Sequence, residues 1–330
     1  MIRALKRRTV VAAFLFAPLS GLVHADEATE YPNRVVKIVV GYEPGGAADV
    51  AARAVARQLS IIWKRSVIVE NRPGADGMLA VIAVAKAAPD GYTLLSAPSN
   101  VWSIFPHVYP HAAVNAAHDL APVGTIGIAP LAIAINPNAP YHTLPELVAY
   151  AKAHPGKVSF GTPGVASVHE MAGLKLMMLA SVKMTEVPYK GAAPASEDLA
   201  GGRLDVLYAT LPGIRPLAQA GKAKIIAVTS PVRVKEYPDV PSMSEFYPGW
   251  GDAFSTYHGI YAPARTAPQV INAINAALDK ALQDKSVKDV LNANGMVPHP
   301  GSTADFRAFL DRNYKSFDQI FKQVGNLPAN

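Results

Sequence analysis

The sequence predicts an α/β fold of two lobes hinged like a clamshell. Three observations carry that prediction. Between residues 35 and 95, short β-branched runs alternate with helix-forming stretches in the order strand, helix, strand, helix, strand. A second series of the same kind begins near Val158. In both series a glycine-bearing loop leaves a strand and opens a helix. Alternation at this spacing argues for parallel sheets with right-handed crossovers, which take ligands at the carboxyl ends of their strands.

Residues 35–40 are nearly all Val or Ile, the composition of a buried strand. Residues 50–59 combine good helix formers with an apolar face. Residues 66–71 read as a second strand and 78–87 as a helix; the turn Pro89-Asp90-Gly91 leads to a third strand at 92–95. The stretch 106–122 is expected to be irregular. Residues 131–135 form a strand closed by Asn136-Pro137, and Thr143 is a candidate N-cap for the next helix. The second series runs from a strand at 158–160, through a loop at 161–167, to a helix at 168–180. A strand reaching Tyr189 follows, with a helix opening at 190–194 and strands at 206–208 and 225–228. A returning strand at 260–262 precedes amphipathic helices at 268–283, 286–294 and 304–323. Lobe 1 is therefore expected to comprise 26–128 and 256–330, and lobe 2 residues 129–255, joined by two segments.

Half of the 330 residues are apolar and 17% are charged, so a sizeable core is expected. The first 25 residues read as a cleaved secretory signal: a basic start, an apolar run at 10–17, and Val23-His24-Ala25 before the expected cut after Ala25. Setting aside its four cations, Arg3, Lys6, Arg7 and Arg8, lowers the formal charge from +6 to +2. The high pI is thus poor evidence for nucleic-acid binding, and none is expected. No later stretch is apolar for long enough to span a bilayer. With no cysteine, disulfides, thiol catalysis and thiolate metal sites are excluded.

The loop from Tyr42 to Asp49 is the sharpest local signal. A strand running through Pro44-Gly45-Gly46 into a helix leaves backbone N–H groups unpaired at the helix start, where the dipole favours an anion. The same residues are equally compatible with a simple chain reversal in which Asp49 stabilises the first helical turn. His107, His111 and His118 are separated by prolines and lack a suitably spaced acid, so surface or packing roles are expected and no metal is. Ser167 and His169 are neighbours two apart in a loop rather than members of a triad. Neither a Gly-x-Ser-x-Gly elbow nor a dinucleotide or Walker A pattern occurs. Tyr42, Trp102 and Tyr257 are compatible with a pocket lining or with core; Arg53 and Arg72 read as structural braces.

In order along the chain stand Tyr31-Pro32, Pro44-Gly45-Gly46 with Asp49 and Ala52-Arg53, Val69-Glu70-Asn71-Arg72-Pro73-Gly74, and Pro89-Asp90-Gly91-Tyr92-Thr93-Leu94. Further on come Gly161-Thr162-Pro163-Gly164, Val187-Pro188-Tyr189-Lys190-Gly191, Gly201-Gly202, Ala227-Val228-Thr229-Ser230, Pro238-Asp239-Val240-Pro241 and Ala262-Pro263. This set resembles the Bug-type solute-binding proteins of tripartite tricarboxylate transporters over nearly the whole mature chain. The resemblance implies a type II periplasmic binding fold that closes on a small organic acid and delivers it to a membrane permease, with no cofactor. A monomer in the periplasm is the expectation.

In that family the ligand carboxylate is held by backbone N–H groups and hydroxyls of facing loops, often through water, an arrangement that satisfies an anion without a fixed cation. Carried over by position, the resemblance implies ligand contacts from Tyr42, Glu43, Gly46, Ala47, Ala48, Asp49, Ser99 and Asn100 of the first lobe. The second would supply Thr162, Val165, Ala166, Ser167, His169, Tyr189, Lys190 and Thr210. Four positions depart from the family pattern: Glu43 for Pro or Ala, Pro98 for Thr or Ser, Ala166 for Gly, and Ala209 for Asp. They bear on the ligand's chemistry rather than on the fold. Two other classes share the scaffold. A sensor would present bound acid to a membrane kinase. An enzyme would need a base or nucleophile in the cleft, for which Glu43, Asp49, His169 and His258 are the candidates. Binding without catalysis is the expected function.

Overall fold

The computed structural model describes residues 31–324 apart from 163, 165, 190, 236 and 252; the expected signal segment and its cleavage site lie outside the described residues. β1 (Val36–Val40) is buried along nearly its whole length, as a central parallel strand requires. α1 (Ala47–Trp63) carries the chain to β2 (Val67–Asn71), and α2 (Met78–Ala85) carries it to β3 (Thr93–Pro98). Both β2 and β3 run parallel to β1, one on each side.

Three short helices, α3 (Asn100–Ser103), α4 (Phe105–Val108) and α5 (Ala116–Asp119), lead into β4 (Leu120–Ile135). The second series is α6 (Leu144–Ala153), β5 (Ser159–Thr162), α7 (Val168–Ala180), β6 (Thr185–Pro188), α8 (Ala192–Ala200), β7 (Val206–Thr210), α9 (Leu211–Gln219) and β8 (Lys224–Val228). The chain ends with α10 (Met243–Phe246), β9 (Ser255–Pro263), α11 (Pro268–Gln283), α12 (Lys285–Ala293), β10 (Val297–Pro298) and α13 (Thr303–Val324).

The strands pair in the order β2-β1-β3-β9-β4-β7-β5-β6, with β8 and β10 also on β4. β4 therefore serves both halves. Its first part, Leu120 to Pro130, pairs antiparallel with β9, and its last part, Leu131 to Ile135, with β7 and β8. In the first half, Val36, Ile38 and Val40 pack with α1 through Ala52, Val55 and Leu59 and with α11 through Ile274 and Leu278. The opposite face holds Val39, Leu95, Trp102 and Tyr261 against Phe306 and Leu310 of α13. The far end of α13 packs into the second half through Phe317, Ile320 and Phe321, beside Phe160, Tyr208 and Phe254.

One stretch differs from the sequence expectation and another was given no element there. Residues 120–122, expected to be irregular, open β4, whose first part runs on to Pro130; Pro122, Gly124, Gly127 and Pro130 read as breakers, but pairing with β9 absorbs them through two register shifts. Residues 211–219, unassigned from sequence, form a helix with Pro212 at its start, where no N–H is needed, and Pro216 within it. No helix among the described residues is long and apolar enough to cross a membrane.

Candidate functional site

Four helix starts meet around one cavity of about 530 Å³. Gly46, Ser167, Gly191 and Thr210, which line it, are the N-caps of α1, α7, α8 and α9. The caps at Gly46, Gly191 and Thr210 make no side-chain bond to their helices, so the first-turn N–H groups there keep their hydrogen-bonding capacity. In α1 the first intrahelical bond runs from Val50 N to Gly46 O, 2.9 Å, which leaves Ala47 and Ala48 at the cavity wall above the ladder. No Lys, Arg, Asp or Glu is among the described residues that line the cavity. What the described lining offers an anion is therefore the dipoles of the helix starts.

The Gly45–Asp49 turn is held from behind. Asp49 is buried, and its carboxylate accepts from Gly45 N (2.9 Å), Arg53 Nε (2.9 Å) and Asn71 Nδ2 (2.8 Å). Burial alone would raise its pKa, but these three donors outweigh it and hold the carboxyl below the usual range. Asn71 Nδ2 also bonds Tyr42 O at 3.0 Å, and Arg53 Nη2 bonds Asn71 Oδ1 at 2.8 Å. Asp49 is thus a brace that fixes the loop, and it does not line the cavity. Arg53 shares that role. Glu43 is exposed and also lies off the lining.

On the other side, Ser167 caps α7, its Oγ accepting from Glu170 N at 3.2 Å. Ala166 has φ +54°, in the left-handed region that favours glycine, and its N–H donates to Glu170 Oε2 at 2.7 Å. Glu170 and Glu186 hydrogen-bond to each other. Burial first, and the Glu186 charge second, push Glu170 up to about 8, so the pair retains a proton at neutral pH. Thr162 Oγ1 lies 3.0 Å from Glu186 Oε1 and 3.2 Å from Gly164 O. Tyr189 is tied outward, its hydroxyl donating to Asp198 Oδ2 at 2.8 Å. Across the cavity, Asn100 Nδ2 reaches Ala166 O at 3.5 Å.

Of the residues singled out from sequence, Tyr42, Gly46, Ala47, Ala48, Asn100, Ser167, His169 and Thr210 come together on the cavity wall. Glu43, Asp49, Ser99, Thr162, Ala166 and Tyr189 do not line it, and Val165 and Lys190 lie outside the described residues. Ser99 is buried one step behind, its N–H donating to Tyr257 O at 2.8 Å. The lining also includes Pro98, Val168, Ala192, Leu207, Tyr208, Ala209, Thr256 and His258. Thr256 and Leu207 carry no loop signal; only the length of β9 and its register, with His258 opposite Pro98, bring that strand to the site. Elsewhere, His107 packs between the rings of Tyr314 and Phe321. No group of three metal-ligating side chains is gathered among the described residues.

Residues 51–326 match the family described as tripartite tricarboxylate transporter family receptor, TctC. The chain belongs to this receptor family. Among relatives of the receptor, a UPF0065 protein of Bordetella bronchiseptica is 34% identical over 328 residues, 99% of this chain and 96% of that one. The solved structure of an R. palustris protein with adipate is similar at a TM-score of 0.78 and 28% identity, covering 91% of this chain and 100% of that one. The periplasmic binding protein BugD is similar at a TM-score of 0.73 and 28% identity, covering 90% of this chain and 100% of that one. The receptor thus has the two-lobed α/β fold anticipated from its sequence.

Proposed function

We propose that the protein is a periplasmic solute-binding protein that captures a small carboxylate-bearing solute between two lobes and hands it to a tripartite tricarboxylate-type permease. The observation that carries this reading is the convergence of four helix N-caps on a cavity whose described lining has no fixed charge. Unpaired N–H groups from opposed helices complement a carboxylate, and the lining offers the ligand no described carboxylate to repel it. The adipate complex of a relative supports the ligand class. In this reading lobe 1 is 26–128 with 256–330, lobe 2 is 129–255, and the protein works as a monomer after cleavage at Ala25. Ligand touches both sides only when they are closed, so it shifts the open–closed equilibrium. The ligand-contacting set is the eight sequence-predicted residues that line the cavity, with Asp49, Thr162 and Ala166 acting as supports behind it.

A thermal-shift screen of organic acids, followed by native mass spectrometry of the unaltered protein, tests this. One acid present at about 100-fold over its Kd should add about 2.7 kcal/mol of stability. Conversion of that acid to product, or no response to any acid in the screen, overturns the reading.

A further inference from the structure

The cavity also holds buried polar side-chain atoms to which backbone capture of a carboxylate gives no role. His258 Nδ1, Thr256 Oγ1, His169 Nδ1, Asn100 Oδ1 and Tyr208 Oη are each buried with no hydrogen-bond partner among the described residues, and all five residues line the one cavity. His258 is only 8% exposed. It stands on β9 opposite Pro98, and Thr256 lies two residues away on the same face of the strand. Buried polar atoms are nearly always paired in native proteins, so five orphans on residues of one cavity call for a partner that the chain itself does not supply. Around them the lining is apolar, through Pro98, Val168, Leu207 and Ala209.

We infer that these groups form a specificity subsite for an uncharged hydroxyl carried at the far end of an apolar monocarboxylate. The inference rests on the proposed carboxylate reading and narrows it. A wholly apolar tail would leave the five atoms unpaired. A second carboxylate only accepts hydrogen bonds, so it would leave the acceptor Asn100 Oδ1 unpaired. Burial keeps both imidazoles neutral at physiological pH, so neither supplies a positive charge. A hydroxyl both donates and accepts, which suits a neutral imidazole, a threonine hydroxyl and an amide oxygen together. The subsite distinguishes ligands by their far end, while the helix starts hold the end they share.

Calorimetry with two matched sets tests it: hexanoate, 6-hydroxyhexanoate and adipate, and benzoate, 4-hydroxybenzoate and terephthalate. In at least one set the hydroxy acid should bind at least about tenfold more tightly than both its methyl- or hydrogen-ended and its carboxylate-ended counterparts. His258→Phe, which keeps a ring, and Thr256→Val, which keeps the shape, should each erase that preference, the unsubstituted acid then binding at least as tightly as its hydroxy counterpart. Melting curves establish that both variants fold. Tightest binding of a dicarboxylate or of an unsubstituted acid, or a hydroxyl preference that survives both substitutions, overturns the subsite and leaves the carboxylate reading standing. Binding of none of the six overturns both.

Discussion

Gly46 offers a substitution whose effects on folding and on binding separate. It is the N-cap of α1 with φ −72°, open to any residue, and a Cβ there would meet nothing closer than Glu43 O at 3.6 Å. Aspartate and asparagine both cap helices well, so Gly46→Asp and Gly46→Asn should each keep or raise stability by a few tenths of a kcal/mol. They differ in charge. A cavity of about 530 Å³ has the volume of a sphere of about 5 Å radius, so a carboxylate inside it lies about 5–10 Å from the cap. At an effective dielectric of about 20, repulsion over that distance is about 1.7–3.3 kcal/mol. That corresponds to roughly 20- to 300-fold in Kd at about 1.4 kcal/mol per decade. Calorimetry of the acid found by thermal shift, run on both variants beside urea melts, reads the difference. Equal affinity of the two variants, within about threefold, would show that no anion is held at the start of α1.

Three further outcomes follow from particular contacts. At Gly259 a Cβ would lie 2.3 Å from Phe306 Cζ and 3.1 Å from the backbone oxygen of Gly124, so Gly259→Ala should lose about 1–3 kcal/mol in urea denaturation. Glu170 holds its proton in the folded protein up to about pH 8 but releases it near the ordinary 4.5 when unfolded. The folded state then binds more protons, stability falls as pH rises between those values, and Glu170→Gln should flatten the fall when melting is followed across that range. Asp49 has the opposite sign: its lowered pKa contributes stability above the ordinary aspartate range, and that contribution is lost on acidification through the folded value. Asp49→Ala should cost about 1–3 kcal/mol at neutral pH, read from chemical melts, because Gly45 N–H and the Arg53 guanidinium lose their acceptor.

Much of the fold was legible because local signals and tertiary needs agree. The Val-rich run of β1, the Pro-Asp-Gly turn before β3 and the amphipathic C-terminal helices each carry a period or a punctuation mark that short windows detect. The first part of β4 and the helix α9 were not legible, since Gly and Pro there read as breakers; pairing with β9 absorbs the first set, and α9 carries Pro212 at its start and Pro216 within it. At the site, the caps of α1 and α7 were readable as glycine and serine before a helical run. The family resemblance pointed to Asp49 and Tyr189 as ligand contacts, but both are turned to neighbouring side chains, a distinction that depends on Arg53, Asn71 and Asp198. His258, read from sequence as a candidate base in the cleft, lines the cavity, whereas Thr256 beside it reached the site through β9's register with β3, which joins positions about 160 residues apart and leaves no local trace.

Gly46, Ala47, Ala48, Gly191 and Ala192 have no side chain beyond Cβ, yet they border the cavity at two of its helix starts. An alanine scan of the cleft would therefore report on its aromatic and imidazole walls and pass over these positions almost silently. A measurement that sees them has to alter the main chain itself, for instance by exchanging the amide of Ala47 or Ala48 for an ester, which removes one N–H and leaves every side chain in place.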